Sequence, residues 1–404
     1  MPRSAVEHGR RQHLSAAELL ERGLRLRTGL VARQQEAEQL RRLPEVTMQE
    51  FHDAGILRVI QPAAFGGFEA DFICQIDLTY ETARACGASG WVYAVLSAHA
   101  AMIANFSERA QQEVWSDDPC ALASSSLSSI GRFKRVDGGC LVSGFWRYSS
   151  GCDYCAWLVA GADASPLPNP PPLCGGGLGW GCRRARRHFL LPIPALEIVD
   201  DWHVLGLAGT GSKSLRGDGV FVPEWRSITD REFLGNTGPG RSLHDHRRLY
   251  RLSRYAHPGP LSLAVAGVGI AQHAVDYCTA HSDRMGVGRT SAVEREAIRH
   301  DIAEATTEVD AARLLIRRTV SEIERAGKAR IEPVPRALVE LVARDRHFAM
   351  LYALRATDRL FRAAGSQVLF EGNELQRCLQ DVQAVASRTT RLGAIAGPAG
   401  ATEV

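Results

Sequence analysis

Gly138-Gly139-Cys140-Leu141-Val142-Ser143-Gly144-Phe145-Trp146-Arg147-Tyr148-Ser149-Ser150-Gly151-Cys152-Asp153 is the stretch that decides how this chain is read. Asp137-Gly138-Gly139 is a turn signal between two β-rich runs, Arg132–Val136 and Cys140–Tyr148, so the pattern predicts a hairpin. The second run ends in Ser149-Ser150-Gly151, next to an aromatic side chain. A hydroxyl both donates and accepts, so serines at a strand end can hydrogen-bond a heterocycle; the same serines can also simply cap a turn. Cys152-Asp153-Tyr154-Cys155 has the C-x-x-C spacing but no second pair and no βαβ context, so packing is favoured over redox or metal use.

Outward from this hairpin the texture changes on both sides. Residues 14–118 are helical in pattern. Leu19, Leu20, Leu24, Leu26, Leu30 and Val31 recur among charges as on an amphipathic helix. Pro44 interrupts it, and Val46–Leu57 restarts it with Thr47 as a cap. Two apolar helices follow at 71–87 and 89–106. Residues 119–232 form a β zone, with further strands at Trp157–Ala160, Phe189–Ile193 and Gly219–Val222. Ser124-Ser125-Ser126 reads as a turn. An irregular Pro/Gly/Arg insertion occupies 164–187 and reads as a long surface excursion; its Arg183–Arg187 run is too short to mark a nucleic-acid face. Residues 240–404 return to helix, with long periodic runs at Leu261–Tyr277, Ala292–Glu324, Pro335–Ala364 and Leu375–Arg388 that suit a four-helix bundle. The fold class expected is therefore α+β, mainly α.

The totals narrow the function. The 404 residues are 45% hydrophobic and 23% charged, which is globular composition. With 48 basic and 45 acidic residues the net charge is +3, so no polyanion partner and no anionic membrane is called for. No apolar run reaches the ~20 residues of a membrane span, and no apolar leader opens the chain. The 10 cysteines are scattered in apolar runs, which fits reduced thiols in a cytoplasmic protein. Thirteen histidines show no metal spacing, so no metal is expected.

One histidine stands apart. Ser89-Gly90-Trp91 opens an apolar helix, and positions 91, 95, 98, 99 and 102 fall on or near one face of it. From the helix pattern alone, His99 reads as a satisfied core residue more readily than as a catalyst.

Ser89-Gly90-Trp91…His99, then Ala123-Ser124-Ser125-Ser126, the 138–153 block, and Gly206-x2-Gly209-Thr210-Gly211-Ser212 together keep an order and spacing. This series resembles the two-component flavin-dependent monooxygenases of the acyl-CoA dehydrogenase fold, which include hydroxylases of 4-hydroxyphenylacetate, of a seco-steroid phenol and of aromatic polyketides in secondary metabolism. The likeness runs from about residue 20 to about residue 390. It implies an N-terminal helical domain, a central β-barrel-like domain and a C-terminal four-helix bundle, usually in a homotetramer. It implies reduced FMN or FAD delivered by a separate flavin reductase, O2 as cosubstrate, a C4a-hydroperoxyflavin, and hydroxylation of an aromatic or polyketide-like small molecule. By the resemblance His99 and Ser125 would meet the substrate oxygen. Trp91, Ser124, Ser149 and Ser150 would line the flavin, with Ser150 at its N5 edge. Arg284 would grip a flavin phosphate, although a helix-terminal charge explains it as well.

The chain departs from the pattern near its C-terminus. Where the phenol hydroxylases carry histidines, it reads Gln380-Asp381-Val382-Gln383. Either His99 does the acid–base work alone, or the substrate needs no phenol deprotonation. Two other readings stay open. An acyl-CoA dehydrogenase of the same fold would need a glutamate base, for which Phe370-Glu371-Gly372 offers one setting. A catalytically degenerate binding protein would need none.

Overall fold

The computed structural model describes residues 14–165, 185–244, 248–251, 258–282, 285, 291–331, 334–370 and 372–389. Seven helices come first: α1 (Ala16–Arg25), α2 (Arg27–Ala32), α3 (Gln34–Leu40), α4 (Glu45–Ala54), α5 (Phe72–Ala85), α6 (Gly87–Ile103) and α7 (Glu108–Trp115). Seven strands follow: β1 (Ala123–Val136), β2 (Gly139–Ser149), β3 (Trp157–Ala164), β4 (Arg186–Pro192), β5 (Glu197–Val199), β6 (Lys213–Pro223) and β7 (Ser227–Thr229). The short α8 (Asp230–Gly235) leads to α9 (Pro258–Ala280), α10 (Ala292–Lys328), α11 (Arg336–Ala364) and α12 (Glu374–Thr389).

Several local expectations are corrected. The first amphipathic run is three helices, broken at Leu26 and Arg33. The N-cap of α4 is Pro44, whose fixed φ suits the entry to a helix. Thr47 lies inside that helix instead, and its buried hydroxyl accepts from Arg33 Nε at 2.9 Å. The three serines do not turn. They run along β1, whose early residues pair in parallel with β3, Ser125 against Val159. Strand geometry absorbs polar residues when their backbone enters a ladder, and β1 is 14 residues long.

The described strands form one sheet in the order β5-β6-β2-β1-β3-β4-β7. The expected hairpin is β1–β2, paired from Val136–Gly139 to Arg132–Ser143. Its sequence logic lies in Trp146. The indole is fully buried and donates from Nε1 to Gly161 O at 3.0 Å. It packs over Gly144 and Gly131, where an added Cβ would come within 2.7 Å and 3.0 Å of the ring.

The bundle is organised on α9. This helix packs on α5, α6, α10, α11 and α12. It is apolar nearly all round, with Leu261, Ala264, Val265, Val268, Ala271 and Val275 among its buried residues, as a central helix must be. Its partner α10 opens on a capping box, Ser291 with Glu294, and runs for 37 residues. Among the described residues no helix is long and apolar enough to cross a membrane. The eight described cysteines are all free thiols. Cys152 is one of them, and burial pushes its thiol up to about 12, so it packs as an inert apolar group. Most of the 164–187 insertion, residues 166–184, lies outside the described residues, between the antiparallel strands β3 and β4.

Candidate active site

Two cavities meet where α6, the ends of β1 and β2, and α12 converge. The first, about 280 Å³, is lined on one side by the predicted α6 face: Trp91, Val95, Ala98, His99 and Met102. The second is a slot of about 620 Å³ walled by Trp202, Leu205, Thr210, Ser212, Gln383 and their neighbours. Trp91, Tyr148, Ser150 and Arg388 line both, so the two spaces share a wall.

In the cavity His99 is buried and its hydrogen bonds determine its tautomer. Nδ1 lies 2.6 Å from Ala123 O, and a carbonyl only accepts, so Nδ1 carries the hydrogen. In the neutral ring Nε2 is then the acceptor, and it faces Ser125 Oγ at 2.9 Å. Ser125 thus donates to His99 and keeps its lone pairs for a further donor. Ser126 donates to Arg147 O at 2.6 Å, which fixes the strand beside the pair.

In the slot a chain of hydroxyls has a direction. Thr210 Oγ1 donates to Leu207 O at 2.8 Å. Its single hydrogen is then used, so Ser212 donates to Thr210 across 2.7 Å and Ser150 donates to Ser212 across 2.7 Å. Trp91 Nε1 donates to Ser150 at 2.9 Å. One lone pair of Ser150 Oγ is left for an N–H donor in the slot. The backbone supports this edge: Gly151 has φ +68°, which turns the chain sharply after Ser150. Lys213 Nζ lies 2.8 Å from Asp153 Oδ1, with both side chains largely buried, and so ties the end of the 138–153 block to β6.

The far wall is held from α12. Asp381 Oδ1 accepts from Leu207 N at 2.5 Å, across 174 positions of sequence. Leu207 stands at φ +56°, and its carbonyl also accepts from Trp202 Nε1 at 3.2 Å. Gly206 touches the α12 backbone so closely that an added Cβ would lie 2.2 Å from Gln380 O. Asp381 is buried, and that burial pushes its carboxyl up to about 7; the Leu207 amide pulls the other way.

The site residues expected from sequence therefore separate. Trp91, His99, Ser125 and Ser150 come together. Ser124 and Ser149 are fully buried, their hydroxyls have no partner, and neither lines the cavity or the slot. Ser124 and Ser125 are neighbours on β1 and point to opposite faces, whereas Ser149 is the last residue of β2 and Ser150 already lies in the turn that follows. Arg284 lies outside the described residues, as does Glu371. Gln383 lines the slot and not the His99 cavity. Residues given no role by sequence reasoning are Tyr148, Trp202, Leu205, Thr210, Ser212 and Asp381. The Gly206–Ser212 block was visible as a motif, but nothing in it marked which hydroxyl faced inward.

An aromatic-walled slot with an inward lone pair suits a flat heterocycle that bears an N–H, which a reduced flavin has. Trp91, Tyr148, Trp202 and Ser150 would hold it. Among the described residues no carboxylate lines the cavity or the slot, and no cluster of His, Cys, Asp or Glu could hold a metal ion.

Comparison with known proteins gives a consistent result. Residues 26–121 match the model of the acyl-CoA dehydrogenase N-terminal domain, and residues 261–390 that of the C-terminal domain. The chain is 33% identical over 359 residues to the flavin-dependent monooxygenase oxygenase subunit HsaA of Rhodococcus jostii, covering 87% of this chain and 89% of that one. It is 32% identical to the oxygenase component of an FADH2-dependent resorcinol hydroxylase from Rhizobium sp., covering 87% and 85%. The crystal structure of a 3-HSA hydroxylase from Rhodococcus sp. RHA1 superposes with a TM-score of 0.84 at 30% identity, over 94% of this chain and 95% of that one.

Proposed function

This chain belongs to the oxygenase subunits of two-component flavin-dependent monooxygenases, and from that premise we propose that it hydroxylates a phenol-type ring held between His99 and the flavin slot. The observation that supports this reading is the His99–Ser125 pair, at 2.9 Å, in a cavity that shares its wall with the slot. A bound reduced flavin supplies the chemistry that activates O2 and delivers one oxygen atom.

The rest falls to the chain. A substrate hydroxyl donating to Ser125 Oγ can pass its proton through Ser125 to His99 Nε2. The ring oxygen then gains negative charge, and the carbon beside it becomes electron-rich enough to take an electrophilic oxygen. The Ala123 carbonyl holds the imidazole in the tautomer that can receive this proton, and stabilises the imidazolium once formed. Ser150 orients the flavin edge through its free lone pair. The buried Trp91 indole keeps water from the wall shared by cavity and slot, where the reacting oxygen would be delivered. No glutamine in the slot can replace His99, because an amide is not a base.

An acyl-CoA dehydrogenase would need a carboxylate base at the reacting carbon. The relatives at 32–33% identity are oxygenase components of monooxygenases, which favours the hydroxylase. The working assembly is a homotetramer in the cytoplasm that receives diffusing reduced flavin from a separate reductase. Exposed apolar side chains on the bundle, such as Val293 and Leu314, favour association. The choice between FMN and FAD turns on how the phosphate end is held.

The test is His99→Ala. Substrate hydroxylation should fall by about 10²- to 10⁴-fold, with H2O2 released in place of product, while reduced-flavin affinity stays within about twofold. Unchanged coupling of flavin oxidation to product would overturn the role of His99.

A further inference from the structure

The His99–Ser125 relay accounts for where the substrate's proton goes, but not for what holds the negative charge left on the ring. The charges around the cavity bear on that. His99 comes from α6, Arg147 and Tyr148 from β2, Arg346 from α11 and Arg388 from α12; β1 and α9 contribute no titratable side chain to the lining. Among the described residues no acid lines the space, so it is electropositive.

The three arginines are not equal. Arg147 and Arg388 are exposed, so water and salt screen them. Arg147 also lies over the Phe145 ring, 4.8 Å from its centre. Arg346 is half-buried, and its Nε is sealed from solvent without a hydrogen-bond partner. Burial alone holds its guanidinium below the ordinary arginine range, with no acid near enough to raise it. An arginine keeps its charge even so. Other arginines of α10 and α11 are paired. Arg318 and Arg344 both bind Asp345, at 2.8 Å and 3.1 Å, and Arg359 binds Glu304 and Glu308.

Burying an unpaired guanidinium opposes folding, because water solvated it better. A negative charge would complete it, and the reaction makes one. When the phenol O–H bond breaks, the proton passes through Ser125 to His99 and the electron pair stays on the ring oxygen. A cavity of about 280 Å³ holds little more than one ring, so that oxygen and Arg346 share one small, weakly screened space. An opposite charge at ~4–6 Å lowers an acid's pKa by about 1–3. The same positive charge opposes an imidazolium, which keeps His99 neutral and ready to accept.

We propose that Arg346 is the fixed positive charge that stabilises the phenolate, so that the bound phenol ionises well below its pKa in water. Arg388 and Arg147 add smaller, screened contributions. The relay moves the proton; Arg346 holds the charge that the proton leaves behind. This deepens the hydroxylase reading, and the identity of the ring rests on that reading. The charge effect itself needs no flavin.

4-Nitrophenol tests it, because its phenol and phenolate forms absorb at different wavelengths. The probe is titrated spectroscopically on the full chain without flavin, in His99→Gln, so that no internal base takes the proton. Bound probe should ionise at least about one pH unit lower than free probe. Adding Arg346→Gln should return it to within about half a pH unit of the free value. Arg346→Met, a second neutral variant that packs without a polar group, should do the same. Arg346→Lys should keep most of the drop, and Arg388→Gln should lose only a small part of it. Because no described protein group pairs with Arg346, the neutral variants should melt near the native temperature, which separates lost charge from lost fold. A bound probe that ionises at its free pKa, a drop that survives in both neutral variants, or no binding of the nitrophenolate overturns the proposal. Ionisation is read without turnover, so the two readings can fail separately. A lowered probe pKa in a chain that forms no hydroxylated product with reductase-supplied reduced flavin supports the charge site and overturns the hydroxylase. Hydroxylated product from a chain that leaves the probe's pKa unchanged does the reverse.

Discussion

The His99 cavity and the neighbouring slot share four side chains, yet they are built in opposite ways. The cavity takes its working groups from one face of α6 and from one strand beside it. Its central pair can exchange a proton in either direction, because Ser125 donates to an imidazole that can also hold the proton. The slot takes its groups from Trp91 of α6, the end of β2 and the turn after it, the 202–212 segment and α12. Its hydroxyls are locked in one direction, because the chain ends on the Leu207 carbonyl. The difference matches two tasks. A substrate that must lose a proton needs a reversible relay. A cofactor that must be held in one orientation needs a fixed acceptor.

The sharpest way to break this comparison is to disable the relay and leave the lock intact. In His99→Gln the amide can still meet Ser125 but cannot take a proton. Hydroxylation should fall by about 10²- to 10⁴-fold at neutral pH. Raising the pH toward the substrate's own phenol pKa should restore part of the rate, because the phenolate then forms without a base. A pH profile with the native shape in this variant would show that the proton goes elsewhere.

The lock should respond to pH through a different group. Asp381 has a carboxyl raised to about 7 in the folded chain, against 3.8 as its ordinary value, chiefly by burial. A raised carboxyl means that the folded state holds its proton where the unfolded state has lost it. Its favourable contribution is therefore complete below about pH 4 and is lost as pH rises through 7, at a slope of about 1.4 kcal/mol per pH unit in that window. Asp381→Asn keeps an acceptor for the Leu207 amide and does not titrate. Its stability relative to the native chain should rise between pH 4 and 7, by up to about 4 kcal/mol. Chemical denaturation at several pH values measures this. A difference that does not change with pH would show that Asp381 does not titrate there.

The same contrast governs what the sequence revealed. The α6 face was legible because helical spacing places positions 91, 95, 98, 99 and 102 together. The hairpin was legible because Gly138-Gly139 interrupts two β-rich runs. The slot was legible only as motif fragments, since it assembles residues as far apart as Leu207 and Asp381. Periodicity cannot show that a carboxylate on α12 holds a backbone amide in a loop 174 positions away. The motif positions of Ser124 and Ser149 carry no information on which way a side chain faces, and both are buried away from the cavity and slot walls.

The backbone contact between the slot and α12 gives a smaller effect. In Gly206→Ala the new methyl would sit 2.2 Å from Gln380 O, a backbone atom that cannot rotate away. The 202–212 segment must shift, at a cost of about 1–3 kcal/mol. Flavin affinity should fall several-fold with it, while any substrate binding measured without flavin stays near native, because the cavity does not use this contact. Thermal melting and flavin titration on one preparation test both halves. Equal losses at slot and cavity would mean that the two spaces are mechanically one.

The smallest effect should come from Ser150, and it sharpens the comparison most. Ser150→Ala removes an acceptor for Trp91 Nε1 and the donor to Ser212. The indole N–H is partly buried, so water entering the slot can replace part of the lost bond, leaving a net penalty of about 1 kcal/mol. That corresponds to roughly fivefold weaker binding of reduced flavin. Coupling should suffer more than affinity, because the acceptor at the flavin edge is what Ser150 alone contributes. The measurement is the ratio of H2O2 to hydroxylated product at saturating flavin. If that ratio rises in Ser150→Ala while the rate profile with pH keeps its native form, the lock and the relay are separate devices. If the pH profile moves too, the hydroxyl chain reaches into the proton path, and the two spaces must be treated as one network.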